Sequence, residues 1–282
     1  MEARMLDNLL TFTTSLGSTL IATLPMTLAL AAIFSVLGCF WACNPGKPWW
    51  RRQELATDVV YWFFVPLLAK FLRIGILIFG ASALFDIHGP EQLAAFYDHG
   101  HGPLAGLPFA GQIVFYLVVG DFLLYWSHRV FHGGSFWKYH AIHHAPEQLD
   151  WISAARIHPV NLFLGTIAAD AGMLLAGISP DVLVWLAPFT TFHSAFVHAN
   201  LNWHLGPLRF VIATPVFHRW HHTGLNVGGN TNFASTFPVW DLLFHSFRMP
   251  ADELPSNYGA DDPAMPTSFP KQLAYPFKSR TL

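Results

Sequence analysis

The sequence predicts an all-α fold: an integral membrane helical bundle with a histidine-rich helical cap on its cytoplasmic side. Three observations lead there. The 282 residues are 53% hydrophobic and only 11% charged, against about 25% charged in soluble domains. The apolar residues gather in runs long enough to span a bilayer, which takes about 20 residues of helix. Eight histidines fall in three tight clusters that follow the apolar runs: His128 and His132; His140, His143 and His144; His218, His221 and His222.

Residues 1–15 read as a short polar or interfacial lead-in, and residues 16–42 as the first spanning helix, with Pro25 as a kink that membrane helices tolerate. A turn follows, carrying Lys47, Arg51 and Arg52, with Trp49 and Trp50 at the interface level. Residues 57–85 are the second apolar stretch. Lys70 and Arg73 inside it are costly in lipid. Either they face protein or headgroups, or the stretch breaks into two pieces near Pro66. The loop 86–106 has no Lys or Arg, and its His88, His99 and His101 read as ordinary polar loop residues. Residues 107–127 form the third span and run into His128. Residues 159–177 and 181–200 form a helical hairpin whose second helix ends at His198. After Asn200 the chain is mixed and closes on a Pro-rich tail. With no repeat and no long linker, residues 1–282 form a single membrane domain, to which residues 16–110 contribute the N-terminal membrane helices.

Charge sets the expected topology. Lys47, Arg51 and Arg52 place the first loop in the cytoplasm by the positive-inside rule. The third span then returns to that side and delivers the histidine clusters there, with Arg129, Lys138, Arg156 and Arg219. A net charge of −2 argues against nucleic acid as a partner. Cys39 and Cys43 could be paired, but the reading preferred is free buried thiols, and they do not make a zinc site.

Residues three and four apart share a helix face. His128 and His132 are four apart, and both later clusters have offsets of 0, 3 and 4. Each cluster therefore presents its imidazoles to one side, as ligands of a shared metal must. Eight nitrogens exceed the four ligands of a tetrahedral zinc, so two metal ions sharing eight or nine histidines is the natural count.

The stretches DFLLYWSHRVFH, FWKYHAIHHAPEQLDWISAARIHP, FVHANL, GPLRFVIATPVFHRWHH and NFASTFPVWDLLFHSF resemble, in order and spacing, the sterol desaturase / fatty acid hydroxylase superfamily of membrane di-iron enzymes. The resemblance covers residues 115–247 and implies a catalytic region there. It implies metal ligation by His128, His132, His140, His143, His144, His218, His221 and His222. It also raises His198, in a His-x-Asn with Asn200, to a ninth ligand. Two departures lie outside the histidine boxes. Ala234 follows Asn232 and Phe233 where the family reads Gly, and His245 and Ser246 follow Phe244 where it reads Gly and Thr.

The resemblance further implies two iron ions, O2 as co-substrate, a lipid substrate and an external electron-donor protein of ferredoxin or cytochrome b5 type. Zinc is a metal that could replace the iron. Hydroxylation and desaturation of an unactivated C–H position both remain open. Two other classes compete. A zinc-dependent membrane hydrolase would want a His-Glu-x-x-His motif, which is absent. A non-enzymatic metal-binding membrane protein would want ionisable residues at mid-membrane depth.

Four further residues are candidates for holding a ligating histidine through its other ring nitrogen: Asp121, two turns before His128; His158, beside Pro159; Asn200; and Asp241. His158 as ligand or as structural residue is left open, and Asp241 has helix capping as its alternative. His193 and His204 read as bland, and Glu147 and Asp150 as solvated.

Overall fold

The computed structural model describes residues 2–98 and 101–278, with side chains at Thr14 and from residue 17 onward. His99 lies outside the described residues. The chain is all-helical, and the described residues hold no strand, only an isolated bridge between Thr223 and Tyr258.

Among the described residues, three helices are long and apolar enough to cross a membrane: α1 (Glu2–Trp41), whose apolar part is Gly17–Trp41, α2 (Leu55–Phe85) and α4 (Phe109–Phe131). The lead-in of residues 2–15 is thus the first part of α1. Residues 55–85 form one helix that contains Pro66, so the second stretch does not break. Its two cations are partnered inside the protein. Lys70 donates to Thr19 Oγ1 at 3.1 Å, and Arg73 pairs with Asp170. The outer faces of these helices expose large apolar side chains such as Ile21, Leu28, Phe40, Phe79 and Val114. That is unfavourable against water and ordinary against lipid.

The short α3 (Pro90–Asp98) lies in the loop before α4. His101 in this loop is a tie, with ring nitrogens on the Phe96 and Leu174 carbonyls. The predicted hairpin is α6 (Pro159–Leu175), which contains a π-helical stretch at Leu162–Ile167, and α7 (Pro180–His198). His158 caps the start of α6 and Ser179 that of α7, each ahead of a first-turn proline. α6 packs on α2 and α4, and α7 on α4.

The histidine cap adds α5 (Trp137–His144), α8 (Pro215–His221), α9 (Val239–Leu243) and α10 (Phe269–Ala274). Trp151 is fully buried at the junction of cap and bundle. Its ring lies 5.1 Å from Trp49 and from Trp62 and 6.3 Å from Phe34. The α1–α2 turn is bound to the cap by Cys43 N–H to Asn200 O and by Asn202 N–H to Trp41 O. The basic turn and the histidines therefore sit at one pole.

Several polar side chains differ from expectation. Asp150 is buried, not solvated, and caps the turn Trp151–Ala155. Arg52 is buried against Asp58. Of the two free cysteines Cys43 is buried, but Cys39 is exposed.

Candidate metal centre

α4 carries His128 and leads to His132, α5 carries His140, His143 and His144, and α8 carries His218 and His221 with His222 as its C-cap. α7 ends on His198. Thr214 fixes the start of α8 by accepting from Phe217 N–H. Arg219, fully buried between the histidines of α8, donates to the carbonyls of Leu149, His198 and Ala199 and to Asn44 Oδ1. This one side chain ties α8 to the end of α7 and to the basic turn.

The fold brings all nine histidines together in two groups. His128, His132, His140, His144 and His221 form one; His143, His198, His218 and His222 form the other. Within each group one nitrogen per residue lies within 4.8 Å of all the others. The groups are neighbours: the rings of His144 and His222 stack at 4.4 Å. The clusters from α5 and α8 are each split between the groups, while His128 and His132 both serve the group of five.

The donor spacing fits metal coordination. Nε2 pairs lie 3.0 Å apart for His128 and His140, 3.3 Å for His143 and His198, and 3.1 Å for His198 and His218 and for His218 and His222. Bonds of about 2.0–2.1 Å to one ion place cis or tetrahedral ligand atoms about 2.8–3.4 Å apart. Both ring nitrogens of His132 and His144, Nδ1 of His218 and His222, and Nε2 of His221 are buried without a hydrogen-bond partner. An unpaired buried ring nitrogen costs about 1–3 kcal/mol, and a cation would take up one nitrogen lone pair on each of His132, His144 and His221.

Five rings are oriented from behind. Nδ1 of His128, His143, His198 and His221 donates to the carbonyls of Phe233, Arg156, Ser194 and Thr231, and Nδ1 of His140 to Asn161 Oδ1. A proton on Nδ1 leaves the Nε2 lone pair facing inward. Sequence reasoning missed all five partners. Four are backbone carbonyls, and Asn161 lay unremarked in α6. Asn161→Leu should lower metal affinity about 10–100-fold while leaving the helices intact, as read by metal titration against a thermal melt.

The four residues expected behind the ligands do other work. Asp121 accepts from Thr236 N, Phe237 N and Trp240 Nε1, and not from a histidine. Asp241 accepts from Phe233 N, Ala234 N and Ser246 Oγ, and so fixes the segment whose Phe233 carbonyl holds His128. A rigid loop and not a ring is what these buried carboxylates stabilise. His158 accepts from Val160 N and contacts Leu273 O, which is a structural cap. Asn200 bonds the backbone of Asn44. His193 is less bland than expected: it bonds Ser235 O and lines the cavity beside the ligand groups.

Burial first, and then neighbouring imidazoles, push His132, His140, His144, His218 and His222 well below 6.5. The folded protein thus disfavours their protons more than the unfolded chain does. Their contribution to stability is complete above about pH 6.5 and is lost as pH falls below it. The thermal midpoint of chelator-treated protein should fall between about pH 7.5 and about pH 5, and a flat profile would contradict this.

A cavity of about 300 Å3 opens on the centre, lined by His128, His140, His143, His198 and His218 and by Leu124, Ile157 and Val197. Neither group includes a carboxylate among the described residues.

The family model for fatty acid hydroxylases matches residues 113–246. Ornithine lipid hydroxylase OlsE of Rhizobium tropici is 32% identical over 257 residues, covering 90% of this chain and 74% of that protein. The alkylglycerol monooxygenase of Caenorhabditis elegans is 29% identical over 153 residues, 52% of this chain. This chain spans only 29% of that longer enzyme. A very-long-chain aldehyde decarbonylase of Oryza sativa subsp. indica is 29% identical over 147 residues, 48% of this chain and 23% of its own length. No solved structure matches. The matched region contains all nine histidines, and the similarity to the Rhizobium protein runs through nearly the whole chain: the chain belongs to the fatty acid hydroxylase family of membrane-bound lipid oxygenases.

Proposed function

We propose that the two histidine groups hold a pair of iron ions, and that the enzyme uses O2 and electrons from a separate protein to oxidise an unactivated C–H position of a lipid. The observation that carries this reading is the pair of adjacent all-imidazole groups, five and four strong, opening on one cavity. Imidazole suits several metals, and zinc, which has no redox chemistry, would serve only as a substitute.

When bound, the metal pair supplies the activation of O2 and the oxidising power that breaks the C–H bond. The chain supplies the rest. The fixed carbonyls and Asn161 hold five rings in one tautomer. Burial of the histidines keeps them neutral and keeps bulk water out. Leu124, Ile157 and Val197 offer an apolar wall to a lipid chain, and Ser127, Thr190 and Ser194 offer hydroxyls. The chain carries no dinucleotide-binding glycine motif, which supports an external donor of ferredoxin or cytochrome b5 type. The name of the Rhizobium relative, an ornithine lipid hydroxylase, favours hydroxylation of a polar membrane lipid over desaturation.

Residues 115–247 form the catalytic region of a single multi-pass membrane domain, with the metal centre facing the cytoplasm. Support comes from the basic turn at the same pole, where Lys47 and Arg51 are exposed. A cysteine placed near Gly133 should be labelled from the cytoplasmic side only.

The test of function is turnover of membrane lipid under heavy-isotope-labelled O2 with iron-loaded protein and a reduced donor. The expected result is label in a hydroxylated lipid, or, for desaturation, a lipid lacking two hydrogens. Lipid hydrolysis without O2 uptake would overturn the reading.

A further inference from the structure

A second cavity, of about 240 Å3, adjoins the one at the histidines and is lined by Arg73, Tyr116, Gly120, Asp121 and Asp170, among others. Leu124, Thr166, Thr190 and Thr236 line both cavities, so the two spaces meet. Along α4 their common wall is one helix face: Tyr116, Gly120, Leu124 and His128 follow at intervals of four. Twelve residues separate Tyr116 from His128, which is about 18 Å along the axis.

The far end is polar although it lies deep among apolar helices. Arg73, inside the apolar α2, donates from Nε and Nη2 to Asp170 Oδ2, and Tyr116 donates its hydroxyl to Asp170 Oδ1. Asp170 is thereby engaged on both oxygens, with a side chain only 7% exposed. Arg73 is different. Its side chain is 32% exposed, it lines the cavity, and its Nη1 has no hydrogen-bond partner among the described residues. An ionisable residue at this depth is costly unless it serves a site. A pair whose only task was to tie α2 to α6 has no reason to face open space. That space is real on the opposite wall too, since a Cβ on Gly120 would meet nothing within 4 Å.

We propose that the two cavities form one elongated lipid site, and that Arg73, held by Asp170 and Tyr116, reads a neutral oxygen acceptor at its distal end. The acceptor is a hydroxyl, or an ester or amide carbonyl, carried at the Tyr116 end of this face, about three turns of α4 from His128. This rests on the proposed lipid-oxidising reading and adds the chemistry of the substrate's far end. Neutrality follows from charge. Arg73 and Asp170 cancel, so an anionic ligand would leave a net charge in an apolar interior, and an ammonium would face the guanidinium. The Tyr116 proton is committed to Asp170, so the available donor is Arg73 Nη1. The oxidised carbon is then set by its distance from that oxygen.

The test is equilibrium binding of tritiated N-methyldodecanamide to the purified protein in nanodiscs, with empty nanodiscs subtracted. Dodecanol should compete well. Dodecanoic acid and dodecyltrimethylammonium should compete at least about tenfold more weakly, the scale of one hydrogen bond to a charged group. The double variant R73M/D170L removes both charges together. It should lose the preference for the amide over dodecane while still binding dodecane. Gly120→Leu, which fills the second cavity, should lose binding of amide and dodecane alike. Tighter binding of the acid, an unchanged amide preference in the double variant, or wild-type binding by Gly120→Leu would each overturn the proposal. Chelator-treated and metal-loaded protein should show the same amide preference, so a failure of the metal reading does not register in this assay.

Discussion

Replacing His143 by alanine should strip metal from the protein and abolish turnover. His143 belongs to the group of four, where its Nε2 lies 3.3 Å from that of His198, while its Nδ1 is held by the Arg156 carbonyl. Four ligands leave no spare, and the ring also contacts His140 and His144 of the other group. Loss of partners behind a ligand alone costs about 10–100-fold in affinity or activity, and loss of the ligand should exceed that. The same outcome is expected for alanine at His128, His132, His140, His144, His218, His221 or His222. His204, which is in neither group, is the control, and its alanine variant should keep metal and activity. Elemental analysis beside an oxygen-uptake assay reads both. Full metal content in His143→Ala would remove that residue from the centre.

Arg156→Met should produce the largest loss of stability among single substitutions outside the ligands. The guanidinium is fully buried and donates to Glu54 Oε2 and twice to Asp58 Oδ1. Removing it leaves Asp58 buried with Arg52 alone. Breaking a buried ion pair from one side costs about 3–5 kcal/mol, because the remaining charge stays uncompensated. The backbone of the same residue accepts from His143 Nδ1, so a shift of this segment reaches the metal centre. A lowered thermal midpoint together with reduced metal content is expected. Arg156→Lys should recover only part of it, since an ammonium cannot reproduce the guanidinium's fork of donors. Unchanged midpoint and metal content would show that the network is dispensable.

These two residues mark what was legible in the sequence. His143 announces itself, because helical offsets of three and four put imidazoles on one face whatever the rest of the fold does. The spans at Gly17–Trp41, Leu55–Phe85 and Phe109–Phe131 were legible for a similar reason: length and hydropathy are local properties. Arg156 was read only as a positive charge near the membrane. Its partners Glu54 and Asp58 lie about a hundred residues earlier, and no local pattern joins them.

Asp121 and Asp241 show a second limit. A buried carboxylate near a histidine box suggests a bond to the ring. The structure spends both on backbone N–H groups of residues 233–237, because that irregular segment must satisfy its buried amides. The segment includes Ala234, one of the departures from the family pattern, and it is the segment that orients His128. Backbone carbonyls that hold four of the ligand rings carry no side-chain signature, so they could be found only in the fold. Arg73 is an intermediate case. Its cost in lipid was visible, but its partner Asp170 and the cavity beside it were not.

The most direct test of the account is anomalous X-ray scattering at the iron edge from crystals of protein purified with its metal. The account predicts two iron peaks, one surrounded by His128, His132, His140, His144 and His221, the other by His143, His198, His218 and His222. A single peak, or metal bound outside these two groups, would contradict it.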